Sequence, residues 1–435
     1  MLNSLISNRQ PHIVILSIII LLPFGGIVVS MFGQTPTIYF SQMVAIIVAI
    51  SVVIRISLRK VNNNYFGKEE FHREKVVLGK LVLIFICLSL PSLILTSEFT
   101  RSIYILSDRI LVLLVFLAIL HYGSEPKHRY WLLWSVAASG TSVACMYLFS
   151  GMQVYETTNI ELLSYGFGAK SPLVKAGMVG LSNTVASILD FTIVISIALF
   201  LLEGISFKQK MIVFTLITIQ VITLISTVSR AGIATLILLL FILILFIYKS
   251  RFSKKVLLLI IIVAVTFSLY FITITYLPGI TGRLYATTVL GGVVESDISH
   301  RLTLFNYSLQ DFLDNPIFGI GIGNVWHSDR PVHFGGLTHN LYIQTLAEEG
   351  IFVFLSLCCL LFIMLRRFIK LNRLYPSLSQ SFVLIAFCVP LINSLVSPDF
   401  WTPQFTYSFW ISMAILICGP VPHYGYFSRS GRKSH

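Results

Sequence analysis

The sequence predicts an all-α polytopic membrane protein of about twelve transmembrane helices, with one long extramembrane loop. Three observations predict it. Apolar runs long enough to cross a bilayer recur along all 435 residues. The composition is 56% hydrophobic, with a mean hydropathy of +0.86. Only 11% of residues are charged, where a soluble domain carries about 25%. The chain reads as a single integral membrane domain, residues 1–435, with no stretch polar enough for a soluble domain.

The runs place spans at 12–32, 38–58, 76–97, 103–121, 130–150, 176–203, 210–228, 231–249, 256–277, 346–366, 380–397 and 404–420. The first carries no small-residue cleavage site and reads as a retained span, not a signal peptide. The connecting segments fall into two sets. One holds both termini with 59–75, 122–129, 204–210, 249–255 and 366–379, and carries 21 Lys/Arg. The other holds 33–37, 98–102, 151–175, 229–230, 278–345 and 398–403, and carries seven: Arg101, Lys170, Lys175, Arg230, Arg283, Arg301 and Arg330. The positive-inside rule then puts both termini in the cytoplasm and the long loop 278–345 outside. The net charge of +13 is explained by topology, so it gives no reason to expect nucleic acid. The cysteines, Cys87, Cys145, Cys358, Cys359, Cys388 and Cys418, all lie in apolar runs with no CxxC or Cys/His spacing. They read as free core or lipid-facing residues.

Along the chain, Asp190 stands near the middle of the sixth span. An ionisable group at that depth is costly and needs a partner, and Arg109 in the fourth span is a candidate for a structural ion pair. The small residues of Gly177–Asn183 suit close helix packing. The turn Ser226-Thr227-Val228-Ser229-Arg230-Ala231-Gly232 is so short that Arg230 must sit at the membrane–water boundary, where snorkelling is its ordinary role. In the long loop, Leu302, Phe305, Leu309, Phe312 and Leu313 share one helical face, and Asp314-Asn315-Pro316 stops the helix. Residues 299–314 are therefore expected to form an amphipathic interfacial helix. Arg301 falls in its first turn, where a cation opposes the macrodipole, so an anionic ligand would explain it better. Gly319, Gly321 and Gly323 lack the strand–helix setting of a nucleotide fingerprint and suit tight turns.

His339 closes the loop. A histidine near boundary arginines on the outer face suits a reaction on a phosphate-bearing lipid. Arginine grips phosphate oxygens in pairs, and a neutral histidine can take a proton from a hydroxyl. The loop's carboxylates, Glu295, Asp297, Asp311, Asp314 and Asp329, are scattered, so no metal site and no cofactor is expected. The arginines would then have to stabilise a diphosphate leaving group.

These residues resemble the O-antigen ligase/polymerase family. The resemblance rests on Thr227-Val228-Ser229-Arg230, then Ser299-His300-Arg301-Leu302 with Asp314-Asn315-Pro316-Ile317-Phe318-Gly319-Ile320-Gly321, then His339-Asn340-Leu341-Tyr342 with Glu349-Gly350, in that order. Ser397-Pro398-Asp399 before the last span also looks like that pattern. The resemblance runs from residue 170 to 420 and implies a multi-pass glycosyltransferase of the bacterial inner membrane. It implies a glycan donor carried on undecaprenyl diphosphate. The acceptor would be a sugar hydroxyl of lipid A–core in the ligase branch, or another lipid-linked glycan in the polymerase branch. By position Arg230 and Arg301 match the family's diphosphate-binding arginines and His339 its catalytic histidine. Asp399 matches an acidic position, and Asn340, Arg283, Arg330 and Lys175 are possible supporting residues.

The ligase branch is the preferred expectation, because the length is moderate and one outer loop dominates late in the chain. The O-antigen or capsule polymerase is the alternative within the same chemistry. A polysaccharide or lipid transporter is a third reading. The absence of a visible internal repeat weakens it, and it predicts basic residues along a central cavity rather than at one rim.

Overall fold

The computed structural model describes residues 28–30, 37–39, 43, 46–47, 68–97, 99–122, 126–157, 182–227, 229, 232–235, 297–326, 338, 340–395, 401 and 403–420. The spans expected at 12–32, 38–58, 231–249 and 256–277 lie largely or wholly outside them, as do most of the loop 278–345 and the tail from 421. Apart from one short antiparallel pair, Val28–Ser30 with Thr37–Tyr39, the regular elements described are helical. That pair takes the facing ends of the first two expected spans.

The described residues form nine α-helices: α1 Lys68–Ser89, α2 Phe99–Tyr122, α3 Pro126–Thr157, α4 Ser182–Phe200, α5 Phe207–Ser226, α6 Asp297–Asp314, α7 Leu341–Leu374, α8 Leu378–Asn393 and α9 Pro403–Leu416. Six stretches among them are long and apolar enough to cross a membrane: Glu74–Leu93, Phe99–Leu120, Arg129–Phe149, Asn183–Phe200, Phe207–Ser226 and Leu341–Leu374. The apolar helices α8 and α9 have 16 and 14 residues. At about 1.5 Å per residue each falls short of a hydrocarbon core about 30 Å thick.

Helix α4 is the hub. It is the most buried of the spanning stretches, at 83%, and packs against α3, α5, α8 and α9. Phe191 on α4 meets Phe405 and Phe409 of α9 edge-on, and Phe116 of α2 meets Trp410 in the same way. Polarity is inverted relative to a soluble bundle. Leu83, Leu114, Phe149, Phe207, Ile212, Phe352 and Phe362 point outward, while Gln220, Thr192, Ser196 and Asp190 are buried. Inside, Gln220 of α5 donates to the Ala137 carbonyl and Thr141 of α3 at 2.9 and 3.0 Å and accepts from Thr192 of α4 at 3.1 Å. Apolar side chains facing out and hydrogen-bonded polar groups between helices are what a lipid solvent selects. The protein is a multi-pass membrane protein.

Among the described residues, polar contacts lie toward opposite ends of the helices. At one end Glu74 pairs with Arg367 at 3.1 Å and Lys370 at 3.7 Å, and Arg129 donates to the Pro420 carbonyl at 2.7 Å. At the other, Asn324 accepts from Thr96 and Ser97, and the Leu341 N–H donates to the Ser394 carbonyl at 2.9 Å.

Helix α7 is two helical segments meeting at Gly350, whose φ of 78° and ψ of −177° interrupt the ladder. The break strands the Ala347 and Glu348 carbonyls and the Ile351 N–H. The segment after α6 takes up all three. Ile320 N–H donates to Ala347 at 2.8 Å, Gly321 N–H donates to Glu348 at 3.0 Å, and Ile351 N–H donates to Pro316 at 2.9 Å. Buried backbone groups must find partners, and in lipid there is no water to supply them. Glycine is obligatory here on two counts. Gly319, Gly321 and Gly350 all have positive φ, and a Cβ would strike the backbone of Glu348, Thr96 or Ile317, respectively.

Gly350→Ala should therefore destabilise the protein by more than about 1–3 kcal/mol, the cost of a strained backbone position. Gly79→Ala is the control, because a Cβ there meets nothing within 4 Å. Thermal unfolding in detergent should show a large loss for the first and none for the second. Equal melting temperatures would contradict the account of the break.

Candidate active site

The end of the bundle carrying Asn324, Leu341 and Ser394 also carries the motif residues that are described. Arg230, His339, Asp399, Arg283, Arg330 and Lys175 lie outside the described residues. Arg301 is described as backbone within α6, without its side chain. The helix begins at Asp297, two residues before the expected start. Arg301 therefore falls in the second turn, beyond the first-turn N–H groups where a cation opposes the dipole. The helix stops at Asp314 as Asn315-Pro316 requires. Its Leu304 and Ser308 are buried where α6 packs on α7, whereas Leu302, Leu309 and Leu313 are exposed. Of the apolar face read from the sequence, three residues are thus exposed, while Phe305 and Phe312 are half-buried.

The residues flanking Arg230 are held locally. Thr227 donates to the Leu224 carbonyl at 2.6 Å, Ser229 N–H donates to Thr227 Oγ1 at 3.2 Å, and Ile233 N–H donates to the Ser229 carbonyl at 2.9 Å. Gly232 leaves no room for a Cβ beside Ala186 and Leu224, so its backbone lies tight against α4 and α5.

The residues flanking His339 are Thr338, which is buried, and Asn340, which caps α7. Asn340 Oδ1 accepts from the Tyr342 and Ile343 N–H groups at 2.9 and 3.1 Å, and its Nδ2 donates to the Leu395 carbonyl at 3.0 Å. Asparagine is among the strongest N-caps because its side-chain oxygen meets N–H groups that the helix start leaves unpaired. Tyr342 adds a bond to the Leu391 carbonyl at 2.9 Å. The α7 start begins at Leu341, five residues before the span expected at 346, so the loop ends earlier than 345.

Beneath this end lies a charged cluster whose pairing differs from the one expected from the sequence. Arg109 of α2 is buried, and its partner is not Asp190. It hydrogen-bonds Glu349, lies 4.0 Å from Glu348, and sits 4.9 Å from the centre of the Trp401 ring. Neighbouring Asp108 accepts from the Tyr407 hydroxyl of α9 at 2.7 Å. Glu349 lies eight residues beyond Leu341, about 12 Å along the helix at about 1.5 Å per residue. The signal was present in the sequence: Glu348-Glu349 opens an apolar run that also contains Phe352, Phe354 and Leu355. Asp190 instead accepts from Asn393 Nδ2 of α8 at 2.7 Å.

None of the six cysteines is in a disulfide. Among the described residues no group of three or more His, Cys, Asp and Glu forms a metal-binding cluster.

Two carboxylates against one guanidinium make Arg109 indispensable to the cluster. Arg109→Met should cost about 3–5 kcal/mol, because removing one partner leaves buried charge uncompensated. Adding Glu349→Gln should recover part of the loss in thermal unfolding. A single Arg109→Met protein that melts like the wild type would contradict the pairing.

No curated protein matches the chain. The family model described as O-antigen ligase matches residues 213–358. That stretch takes in the turn at 226–235, α6, the glycine segment and the capped first part of α7, and leaves Lys175 and Asp399 outside. Residues 213–358 are therefore similar to the O-antigen ligase family, whose members are membrane glycosyltransferases of the ligase and polymerase type acting on lipid-linked glycans.

Proposed function

We propose that the protein is an O-antigen ligase of the bacterial inner membrane, with both termini in the cytoplasm and the reaction on the periplasmic face. It moves a glycan from undecaprenyl diphosphate to a sugar hydroxyl of lipid A–core. One observation supports this reading above the others. Thr235, five residues after Arg230, hydrogen-bonds Asn393 at the end of α8, Asn340 and Leu341, directly after His339, hydrogen-bond Leu395 and Ser394 just beyond that end, and α6, which bears Arg301, packs on α7. Three stretches far apart in sequence thus share one end of the bundle, and all three lie in the stretch that matches the family.

In this reading the acceptor hydroxyl oxygen attacks the anomeric carbon while His339 takes its proton. The new glycosidic bond forms as the bond from the anomeric carbon to the diphosphate oxygen breaks. Undecaprenyl diphosphate leaves with that electron pair, and Arg230 and Arg301 neutralise its charge through paired hydrogen bonds. Asn340 holds the start of α7 as its cap. Asp399, Arg283, Arg330 and Lys175 are secondary candidates for binding the anionic or sugar parts of the substrates. The reaction needs no metal, because the outer loop offers no clustered carboxylates.

The test is glycan transfer by purified protein, with donor and lipid A–core supplied and expression and melting temperature matched. His339→Gln should lose about 10²–10⁴ in turnover, the usual contribution of a general base, while still binding donor. Arg301→Lys should lose donor affinity as well, since lysine lacks the planar fork. Wild-type transfer should persist in excess EDTA. A folded His339→Gln protein that transfers at the wild-type rate would remove His339 from the mechanism. A reaction lost on chelation and restored by magnesium would remove the arginine-only leaving-group role. Transfer to a lipid-linked acceptor in preference to lipid A–core would favour the polymerase.

A further inference from the structure

The buried carboxylate of Asp190 is unused in that scheme, and its surroundings give it a task. Its Oδ2 accepts from Asn393 Nδ2 at 2.7 Å. The other end of the same amide, Asn393 Oδ1, accepts from the Thr235 hydroxyl at 2.6 Å. All three side chains are buried, with Asp190 at 0% exposure. An amide has one donating end and one accepting end. A carboxylate accepts, so it takes the NH2 end and leaves the carbonyl end for a hydroxyl that donates. Asp190 thereby sets which way the Asn393 amide faces.

What Asn393 joins is the reason to look further. Thr235 lies in the short helical segment 232–235 that follows the turn bearing Arg230. Asn393 is the last residue of α8, and the carbonyls around it hold the start of α7. Leu391 takes the Tyr342 hydroxyl, Ser394 takes the Leu341 N–H and Leu395 takes Asn340 Nδ2, at 2.9, 2.9 and 3.0 Å. One amide therefore stands between the segment after Arg230 and the cap after His339. Hydrogen bonds in a low-dielectric interior are strong, and losing one partner leaves the other stranded.

We infer that Asn393 is a positioning residue for glycan transfer, oriented by Asp190, and that through Thr235 it ties the segment 232–235, which follows Arg230 in sequence, to the capped start of α7. This rests on the proposed roles of Arg230 and His339. Neither Asn393 nor Asp190 touches substrate in this scheme, and both lie outside the stretch that matches the family.

The test compares Thr235→Val, Asn393→Asp and the exchanged pair Asp190→Asn with Asn393→Asp. Thr235→Val keeps the shape and removes the hydroxyl that donates to Asn393. Asn393→Asp sets oxygen against oxygen at Asp190. The exchanged pair restores one donor facing one acceptor and leaves an oxygen for Thr235. Two readouts apply to folded protein of matched melting temperature: kcat for glycan transfer, and amide hydrogen exchange across 340–345. Thr235→Val and Asn393→Asp should each lower kcat by about 10²-fold, the scale of a misplacement near 1 Å, with donor KM moving less than tenfold. Both should also speed exchange across 340–345, although Thr235 lies on the other side of the tie. The exchanged pair should recover at least tenfold in kcat over Asn393→Asp. Wild-type exchange and wild-type kcat in the two single variants, or an exchanged pair no better than Asn393→Asp, would overturn the inference. A wild-type protein that transfers no glycan would instead count against the reaction, and the exchange measurement would still decide whether the tie exists.

Discussion

A helix broken inside a membrane bundle must have its backbone made good by something else, and here the segment Pro316–Gly321 does it. Three hydrogen bonds replace those lost at Gly350. The consequence reaches beyond the break. The segment between α6 and α7 is anchored to α7, and Asn324 in its continuation is bonded to Thr96 and Ser97 between α1 and α2. Arg109 reaches the same level from α2 and meets Glu349 one residue before the break. Backbone repair and charge pairing therefore meet at one point, and they fix how the first part of α7 leaves the bundle.

That first part is short, and its start is held from a different direction. The cap at Asn340 and the carbonyls of Leu391, Ser394 and Leu395 fasten it to the end of α8. The end of α8 is in turn joined through Asn393 to Asp190 on the hub helix α4. An active site needs groups held to within a fraction of an ångström, and rigid supports achieve this better than loops. The arrangement suits a reaction whose catalytic groups come from separate stretches of chain.

Much of this was legible in the sequence, and the misses have physical causes. Hydropathy located each described spanning stretch, four of them to within four residues at both ends, because lipid imposes apolar outer faces; the expected 176–203 starts seven residues before Asn183–Phe200, and 346–366 falls short of Leu341–Leu374 at both ends. The stop of α6 was legible in Asn315-Pro316, since proline cannot continue a helix. The start of α7 was misplaced because Glu348 and Glu349 looked like the rim of a span. They are interior, made tolerable by Arg109, and hydropathy has no knowledge of partners. The partner of Asp190 was missed for the same reason: a carboxylate was given a cation, while the fold supplied an amide. The glycines were read as generic turns. Their purpose, approach to the backbone of Glu348 and Thr96, is a tertiary contact that no local signal announces. The order of the motifs carried the resemblance, and Arg230, His339 and Asp399 themselves stand outside the described residues.

The central claim is that this end of the bundle transfers a lipid-linked glycan to lipid A–core. The most direct measurement is the surface glycan of a deletion strain, with the envelope fractionated into lipid A–core and the undecaprenyl pool. The account predicts lipid A–core without long chains, and polymer accumulating on the lipid carrier. A single repeat attached to the core would contradict the ligase assignment in favour of a polymerase. An unchanged glycan profile in both fractions would contradict the transfer reaction altogether.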